Sequence, residues 1–256
     1  MKNGFIDLSN FIKETNKEKS FFYLPNSGNW GDALIRHGTI KFFKENNFFF
    51  EEIFDIIEFY TELKSNKAKI AKNKILIYGG GGGWCKLWHH SPQIIDLLSP
   101  YFSKIIILPS TYELSHCKEN CYYFSRDLFE SKLVMPNSRF CHDMAFYLSY
   151  DNTVKGNGNG FFFRKDKESL GNKLPENNLD ISLLSNHYGD LKTFFDVINP
   201  YEFIHTDRLH VAIAGAICGK KVNLYPGTYF KSRAVFESSM KKYFPKVTFC
   251  DWEMEH

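Results

Sequence analysis

The sequence lacks several features that would settle its class at once. No window approaches the ~20 consecutive apolar residues of a membrane-spanning helix. The first residues, Met1 to Gly4, lead into a polar, charged stretch and not into the apolar centre of a secretory leader, so a cytoplasmic protein is expected. Charge of one sign is not in excess: 32 Lys and Arg face 29 Asp and Glu, leaving +3. The lysines are scattered, which argues against nucleic acid as a partner. Six cysteines are present, yet no CxxC occurs. Cys85 with His89 and His90, and His116 with Cys117 and Cys121, have no recognised zinc spacing. The expectation is free, mostly buried thiols, with no metal and no cofactor. A Walker loop and a complete GxGxxG are also missing, as is any internal repeat.

The chain is long enough, at 256 residues, for one large or two small cores. It is rich in Phe, 26 in all, and the plain reading is that they build the core. Strands are predicted at Phe21–Leu24, Ile53–Ile57, Ile75–Tyr78, Ile105–Leu108 and Tyr122–Ser125. A helix is expected to begin just after Gly31-Asp32. The stretch 151–160 (DNTVKGNGNG) reads as a linker or flexible turn. After it the pattern restarts, with strands at Phe161–Phe163, Ile181–Leu184, Tyr201–Ile204 and Lys221–Tyr225. Helices are expected over His210–Cys218 and Ser232–Tyr243, and a last strand over Lys246–Cys250. Strands alternating with helices imply α/β units with mostly parallel sheets.

Five segments carry candidate chemistry, all at predicted strand ends. Asn26-Ser27-Gly28-Asn29-Trp30-Gly31-Asp32 joins a strand to a helix, and helix starts favour anions. Asp32 reads either as a helix cap or as a functional carboxylate. Gly79 to Gly83, including Gly80, Gly81 and Gly82, either admits a substrate against the backbone or serves tight packing or a mobile flap. Ser125-Arg126-Asp127 reads as a functional pair or as a surface ion pair. Arg164-Lys165 follows an apolar strand and suits phosphate or carboxylate, with a solvated loop as the alternative. Arg208 and His210 flank Leu209 at the start of an Ala/Gly-rich helix, where the dipole attracts an anion.

In this order the segments resemble the polysaccharide pyruvyl transferase family. Asn29-Trp30-Gly31-Asp32 with Ile35 is similar to its N-x-GD-x-x-I motif, and Gly79 to Gly83 to its glycine loop. Ser125-Arg126-Asp127 is similar to its RD motif, and Asp143-Met144-Ala145 to its D-x-A. Phe163 to Ser169 resembles its FR-x-D-x-E-S, and Thr206 to His210 its S/T-x-R-x-H. The resemblance implies two Rossmann-like domains facing a cleft, as in GT-B glycosyltransferases, with residues 1–150 on the acceptor side and 151–256 on the donor side. It implies phosphoenolpyruvate as donor and a carbohydrate acceptor, free or lipid-linked, in surface polysaccharide synthesis. A lipid-linked acceptor would bring the protein to the inner face of the cell membrane. Under this reading His210 is the acid and Asp32 the base. Arg164 and Arg208 clamp the donor's anions, with Leu209, Arg126, Asn29 and the glycines at the substrate. The competing function is a nucleotide-sugar glycosyltransferase of the same architecture.

Overall fold

The computed structural model describes residues 1–16, 20–67, 74–150 and 155–252. The chain divides into two compact units. The first takes residues 1–26 and 39–144, the second 27–38 and 145–256. Each is an α/β unit built on a parallel sheet, consistent with a Rossmann-like fold.

In the first unit, α1 (Lys2–Thr15) precedes β1 (Ser20–Leu24), and β2 (Phe49–Glu52), α3 (Ile56–Glu62), β3 (Ile75–Tyr78) and β4 (Gly81–Trp84) follow after α2 (Trp30–Glu45). Then come α4 (His90–Leu98), β5 (Ile105–Tyr112), β6 (Cys121–Ser125), α5 (Glu130–Val134) and β7 (Arg139–Phe140). The strand order is β2-β1-β3-β5-β6-β7, with β4 added beside β5, and every pairing is parallel. Parallel sheets are covered on both faces, so their strands are apolar throughout. Side chains alternate across the sheet. Phe22 and Leu24, Leu76 and Tyr78, and Ile105 and Ile107 join one buried cluster with Ile95, Leu98 and Phe102. On alternate positions Phe21 and Tyr23 pack on Phe43, and Phe42 and Phe48 complete that aromatic layer. Phe is core material here, as its abundance predicts.

The second unit has β8 (Asn159–Phe161), α6 (Leu191–Ile198), β9 (Phe203–Thr206), α7 (Leu209–Ile217), β10 (Lys221–Leu224), α8 (Lys231–Val235) and β11 (Val247–Phe249). A π turn and a last short helical turn carry the helix beyond α8 to Tyr243. Its four strands run in the order β11-β10-β9-β8, all parallel. The helix α7 is apolar all round and buried almost throughout, as a connection packed tightly on its sheet must be. Gly215 is needed there: an added Cβ would sit 2.8 Å from Ile204 and 2.9 Å from Val222.

Several expectations are corrected. Ile53–Ile57 is not a strand. Asp55 accepts hydrogen bonds from Ile57 and Glu58, so it caps α3 and turns an apolar run into a helix start. The pairing strand is Phe49–Glu52 instead. Ile181–Leu184 forms a 3₁₀ turn, with Leu183 and Leu184 exposed. The strand expected at Phe161–Phe163 ends at Phe161, because the Phe163 amide is taken by Asn178 Oδ1. Of the linker 151–160, residues 151–154 lie outside the described residues, and Asn159-Gly160 already belong to β8. The helices α1, α4 and α6 were not anticipated. Among the described residues no helix is long and apolar enough to cross a membrane.

Candidate active site

In the first unit, β1 lies between β2 and β3, so successive connections leave it in opposite directions. Ligands of open α/β sheets sit beyond the carboxyl ends of the strands at such a point. Asn26 stands there, just after β1, and the glycine run follows β3. Asn26 Oδ1 accepts from the Tyr78 hydroxyl at 2.8 Å and from Ser91 Oγ at 3.2 Å, and lies 3.0 Å from His90 Nε2. The glycine run is not one open loop. An added Cβ at Gly79 would lie 2.5 Å from the Asn26 nitrogen, and one at Gly80 2.3 Å from the Pro109 carbonyl oxygen. Both are buried. Gly81 takes φ +130 at the head of β4, a conformation that side chains rarely adopt. Packing thus accounts for Gly79 and Gly80. Gly82, half-buried, lies within β4 beside them.

Arg126 is not a surface pair with Asp127. It is 1% exposed. Its Nη1 donates to Asp143 Oδ2 at 2.6 Å and its Nε to Thr111 Oγ1 at 2.8 Å. Asp127, also buried, accepts from the amides of Phe129 and Ser131. The RD and D-x-A segments are therefore joined through one buried ion pair.

In the second unit, α2 begins at Trp30, earlier than expected, and Asn29 is its cap. Asn29 Oδ1 accepts from the Gly31 amide at 2.8 Å, while Asp32 Oδ2 accepts from the Asn29 amide at 2.9 Å. This reciprocal arrangement is a capping box in which Asn29 is the N-cap and Asp32 the third helical residue, so Asp32 supports the cap without being the N-cap itself. Trp30 anchors the turn by donating to the Asp190 carbonyl at 3.2 Å and standing edge-on to Phe194. Gly31 leaves room for His210: an added Cβ would lie 2.9 Å from its Nδ1. The box and the imidazole therefore share one patch of backbone.

His210 is half-buried in the first turn of α7. The preceding Arg208 and Leu209 are each 3% exposed. Arg208 grips Asp180 with two prongs, Nε at 2.9 Å and Nη2 at 2.6 Å, and reaches Asp166 Oδ2 through Nη1 at 2.7 Å. Its amide is held by Thr206 Oγ1 at 2.9 Å. Arg164 is buried too, not on a solvated loop. Its Nη1 pairs with Glu168, its Nε lies 3.7 Å from Asp166, and its amide donates to Asp207 Oδ1 at 2.9 Å. Lys231 adds a third cation, 2.7 Å from Glu168.

The electrostatics follow from this crowding. Burial would push Glu168 up, but Lys231 and Arg164 outweigh it and hold its carboxyl well below the usual range. Burial tends to lower Arg164, yet Glu168, Asp166 and Asp207 raise it. For Asp207 burial wins: its carboxyl is pushed up to about 6 despite Arg164 beside it.

Of the candidates, Asn29, Asp32, Arg164, Arg208, Leu209 and His210 fall in the second unit, and Arg126, Gly80, Gly81 and Gly82 in the first. The sequence reading missed the carboxylates that occupy the arginines, Asp180 above all. It also missed Lys231 and, although Asn26 stood in the first candidate segment, its partners Tyr78, His90 and Ser91. Asp166 and Glu168 stood within a quoted motif, whereas nothing in the spacing around Asp180 or Lys231 announces either. Among the described residues no three His, Cys, Asp or Glu side chains are grouped so as to hold a metal ion.

Fold and site together define a two-unit α/β protein with arginines, carboxylates and a histidine gathered at the start of a small-residue helix. Residues 29–225, most of the chain, match the model of the polysaccharide pyruvyl transferase family, and the chain belongs to that family. It is thus one of a family of transferases that act on polysaccharides. The crystal structure of a functionally uncharacterised protein from Klebsiella pneumoniae subsp. pneumoniae is similar at a TM-score of 0.79 and 27% identity, covering 99% of this chain and 100% of that one. No curated protein matches.

Proposed function

We propose that the chain transfers the pyruvyl group of phosphoenolpyruvate to two hydroxyls of one sugar in a surface polysaccharide or its lipid-linked precursor. The products are a pyruvate ketal and inorganic phosphate. The observation that carries this is His210, placed one residue after Leu209 and two after Arg208 in the first turn of α7. A helix start favours an anion, and an imidazole can carry a proton on either ring nitrogen and pass it on.

In the proposed reaction the imidazolium of His210 protonates the methylene carbon of phosphoenolpyruvate, leaving cationic character at C2. A sugar hydroxyl adds its oxygen to C2, and its proton passes to Asp32. A second hydroxyl then displaces the phosphate and closes the ketal; its proton returns to the His210 imidazole, and the proton held by Asp32 leaves with the phosphate. Arg164 and Arg208 face the donor's phosphate and carboxylate. A guanidinium has five N–H groups, and Arg208 directs three at Asp166 and Asp180, which holds its plane and leaves two for the donor. Leu209 seats the turn in the core, and Asn29 sets the position of Asp32. Gly80, Gly81, Gly82 and Arg126 belong to the acceptor side, with residues 1–150 as acceptor domain, 151–256 as donor domain, and a GT-B-like pairing of the two. A lipid-linked acceptor would hold this cytoplasmic enzyme at the inner face of the membrane.

Family membership does not favour the nucleotide-sugar alternative. Incubation with phosphoenolpyruvate and a set of sugar acceptors tests the reading. Acceptor-dependent phosphate release is expected. Sugar transfer from a nucleotide sugar, with no phosphate release, would replace it.

A further inference from the structure

The buried Asn26 and the start of α4 form an arrangement in the first unit that the donor chemistry does not use. Asn26, just after β1, is 7% exposed. Its Oδ1 faces the Tyr78 hydroxyl, Ser91 Oγ and His90 Nε2. His90 and Ser91 are the first two residues of α4, so the Asn26 amide lies against that helix start. Gly83 makes room for the contact. An added Cβ there would lie 2.0 Å from Ser91 Oγ, 2.9 Å from Asn26 Oδ1 and 3.0 Å from His90 Nε2.

Two observations point to a ligand. Three groups converge on one oxygen, which occupies its lone pairs and fixes the amide plane. That plane directs Nδ2 away from all three, and among the described residues Nδ2 makes no hydrogen bond. Leaving the N–H groups of so buried a residue without a partner is costly. The helix supplies the second observation. His89 at the N-cap of α4 makes no side-chain hydrogen bond to it, so the helix start keeps its attraction for an anion. Both features offer N–H donors, and the amide oxygen is already taken. A hydroxyl has to donate as well as accept, whereas an ionised phosphate only accepts. The array therefore suits a phosphate better than a sugar hydroxyl.

We propose that Asn26 and the start of α4 form a phosphate subsite of the first unit, which holds the phosphate of a phosphate-linked sugar acceptor. It lies at the carboxyl ends of β1 and β3, where open α/β sheets hold their ligands. The assignment to the acceptor rests on the pyruvyl transfer proposed above; the phosphate subsite does not. With this subsite the substrate is the phosphate-linked precursor and not the finished polymer.

The test is NMR of the isotope-labelled full chain, following the side-chain amide pair that is absent from Asn26→Asp. Glucose 1-phosphate is the probe, methyl glucoside its neutral counterpart, and phosphoenolpyruvate the donor. Glucose 1-phosphate should shift the Asn26 pair saturably, and methyl glucoside at the same concentrations should not. Asn26→Asp keeps an oxygen for Tyr78, Ser91 and His90 but puts negative charge where the N–H donors stood. Its affinity for glucose 1-phosphate, by calorimetry, should fall at least tenfold, and that for phosphoenolpyruvate less than twofold. The proposal is overturned if glucose 1-phosphate leaves the pair unmoved, if methyl glucoside moves it equally, or if Asn26→Asp binds glucose 1-phosphate as tightly as the wild type. It is overturned too if phosphoenolpyruvate moves the pair at lower concentration than glucose 1-phosphate, which would put Asn26 in the donor site. No phosphate release from phosphoenolpyruvate, with the Asn26 shift intact, would remove the acceptor assignment along with pyruvyl transfer and leave the phosphate subsite standing.

Discussion

Arg126 and Arg208 are both buried arginines that follow a parallel strand, yet their surroundings differ. Arg126 pairs with the carboxylate of Asp143 and donates to the hydroxyl of Thr111. That pair ties two segments together. Arg208 stands beside Arg164 and shares Asp166 with it. Its own chain continues at once into the half-buried His210. Three cations and several carboxylates held this close are expensive to assemble for folding alone. Perturbed titratable groups gathered at one point mark functional sites more often than scaffolds do. On this difference rests the proposal that Arg208 serves the donor chemistry, while Arg126 shapes the acceptor side as a structural pair.

The sharpest way to test that assignment is His210→Gln. Glutamine keeps a hydrogen-bond donor but cannot give up a proton as an acid. Turnover, followed as phosphate release, should fall roughly 100- to 10,000-fold, the usual range for a lost general acid. Affinity for phosphoenolpyruvate, measured by calorimetry, should change little. Retained turnover with weakened affinity would make His210 a binding residue instead.

The arginines themselves should part in the same way. Arg126→Met leaves Asp143, fully buried, without its charge partner, and breaking a buried pair costs about 3–5 kcal/mol of stability. Arg126→Met/Asp143→Leu removes both charges and should recover much of this in urea unfolding. Arg208→Lys keeps the charge but loses the two-pronged grip on Asp180. Its donor affinity should drop by about 2 kcal/mol, with a smaller loss of stability than Arg126→Met. Equal losses of stability in the two, with donor affinity intact, would erase the distinction.

A third test uses pH. Asp207 has its carboxyl raised by burial from 3.8 to about 6, so the folded state favours its neutral form. The stability this gives is fully present below pH 3.8 and is lost as pH rises through about 6, a change of about 3 kcal/mol. Glu168 acts oppositely, since its carboxyl is lowered: its contribution is present above its ordinary 4.5 and is lost on acidification. Asp207→Asn keeps an acceptor for the Arg164 amide and does not titrate. The stability of the wild type relative to this variant should therefore decline between pH 4 and pH 7. A constant difference would mean that Asp207 is ionised throughout.

Much of the fold was legible because buried parallel strands are unbroken apolar runs: Phe21–Leu24, Ile75–Tyr78 and Ile105–Leu108 all lie within observed strands. Where side chains compete with that pattern, the reading fails. Asp55 redirects Ile56 and Ile57 into a helix, and Asn178 ends the strand at Phe161 by taking an amide. The candidate site was legible as residue types at strand ends, but not as partnerships. Arg208 with Asp180 spans 28 residues and Lys231 with Glu168 spans 63, and no local spacing encodes such distances. The assignment of residues 27–38 to the second unit is equally non-local. It rests on contacts such as those of Trp30 with Asp190 and Phe194.

The smallest expected effect belongs to that turn. Asn29→Ala removes the cap oxygen from the Gly31 amide while leaving Asp32 on the amide of residue 29. Loss of an N-cap side chain costs about 1 kcal/mol, so unfolding should show a modest shift. Asn29→Asp restores an oxygen at the same place and adds a charge that the helix start favours, so it should recover the stability. The two variants separate two roles. If Asn29 only positions the turn, Asn29→Asp recovers turnover along with stability. If its amide also donates to a substrate, Asn29→Asp recovers stability alone, because a carboxylate has no N–H to give and repels an anionic donor. Measuring urea unfolding and phosphate release on both variants distinguishes these outcomes. Recovery of both would confine substrate contact on this turn to Asp32 and His210, on either side of Gly31.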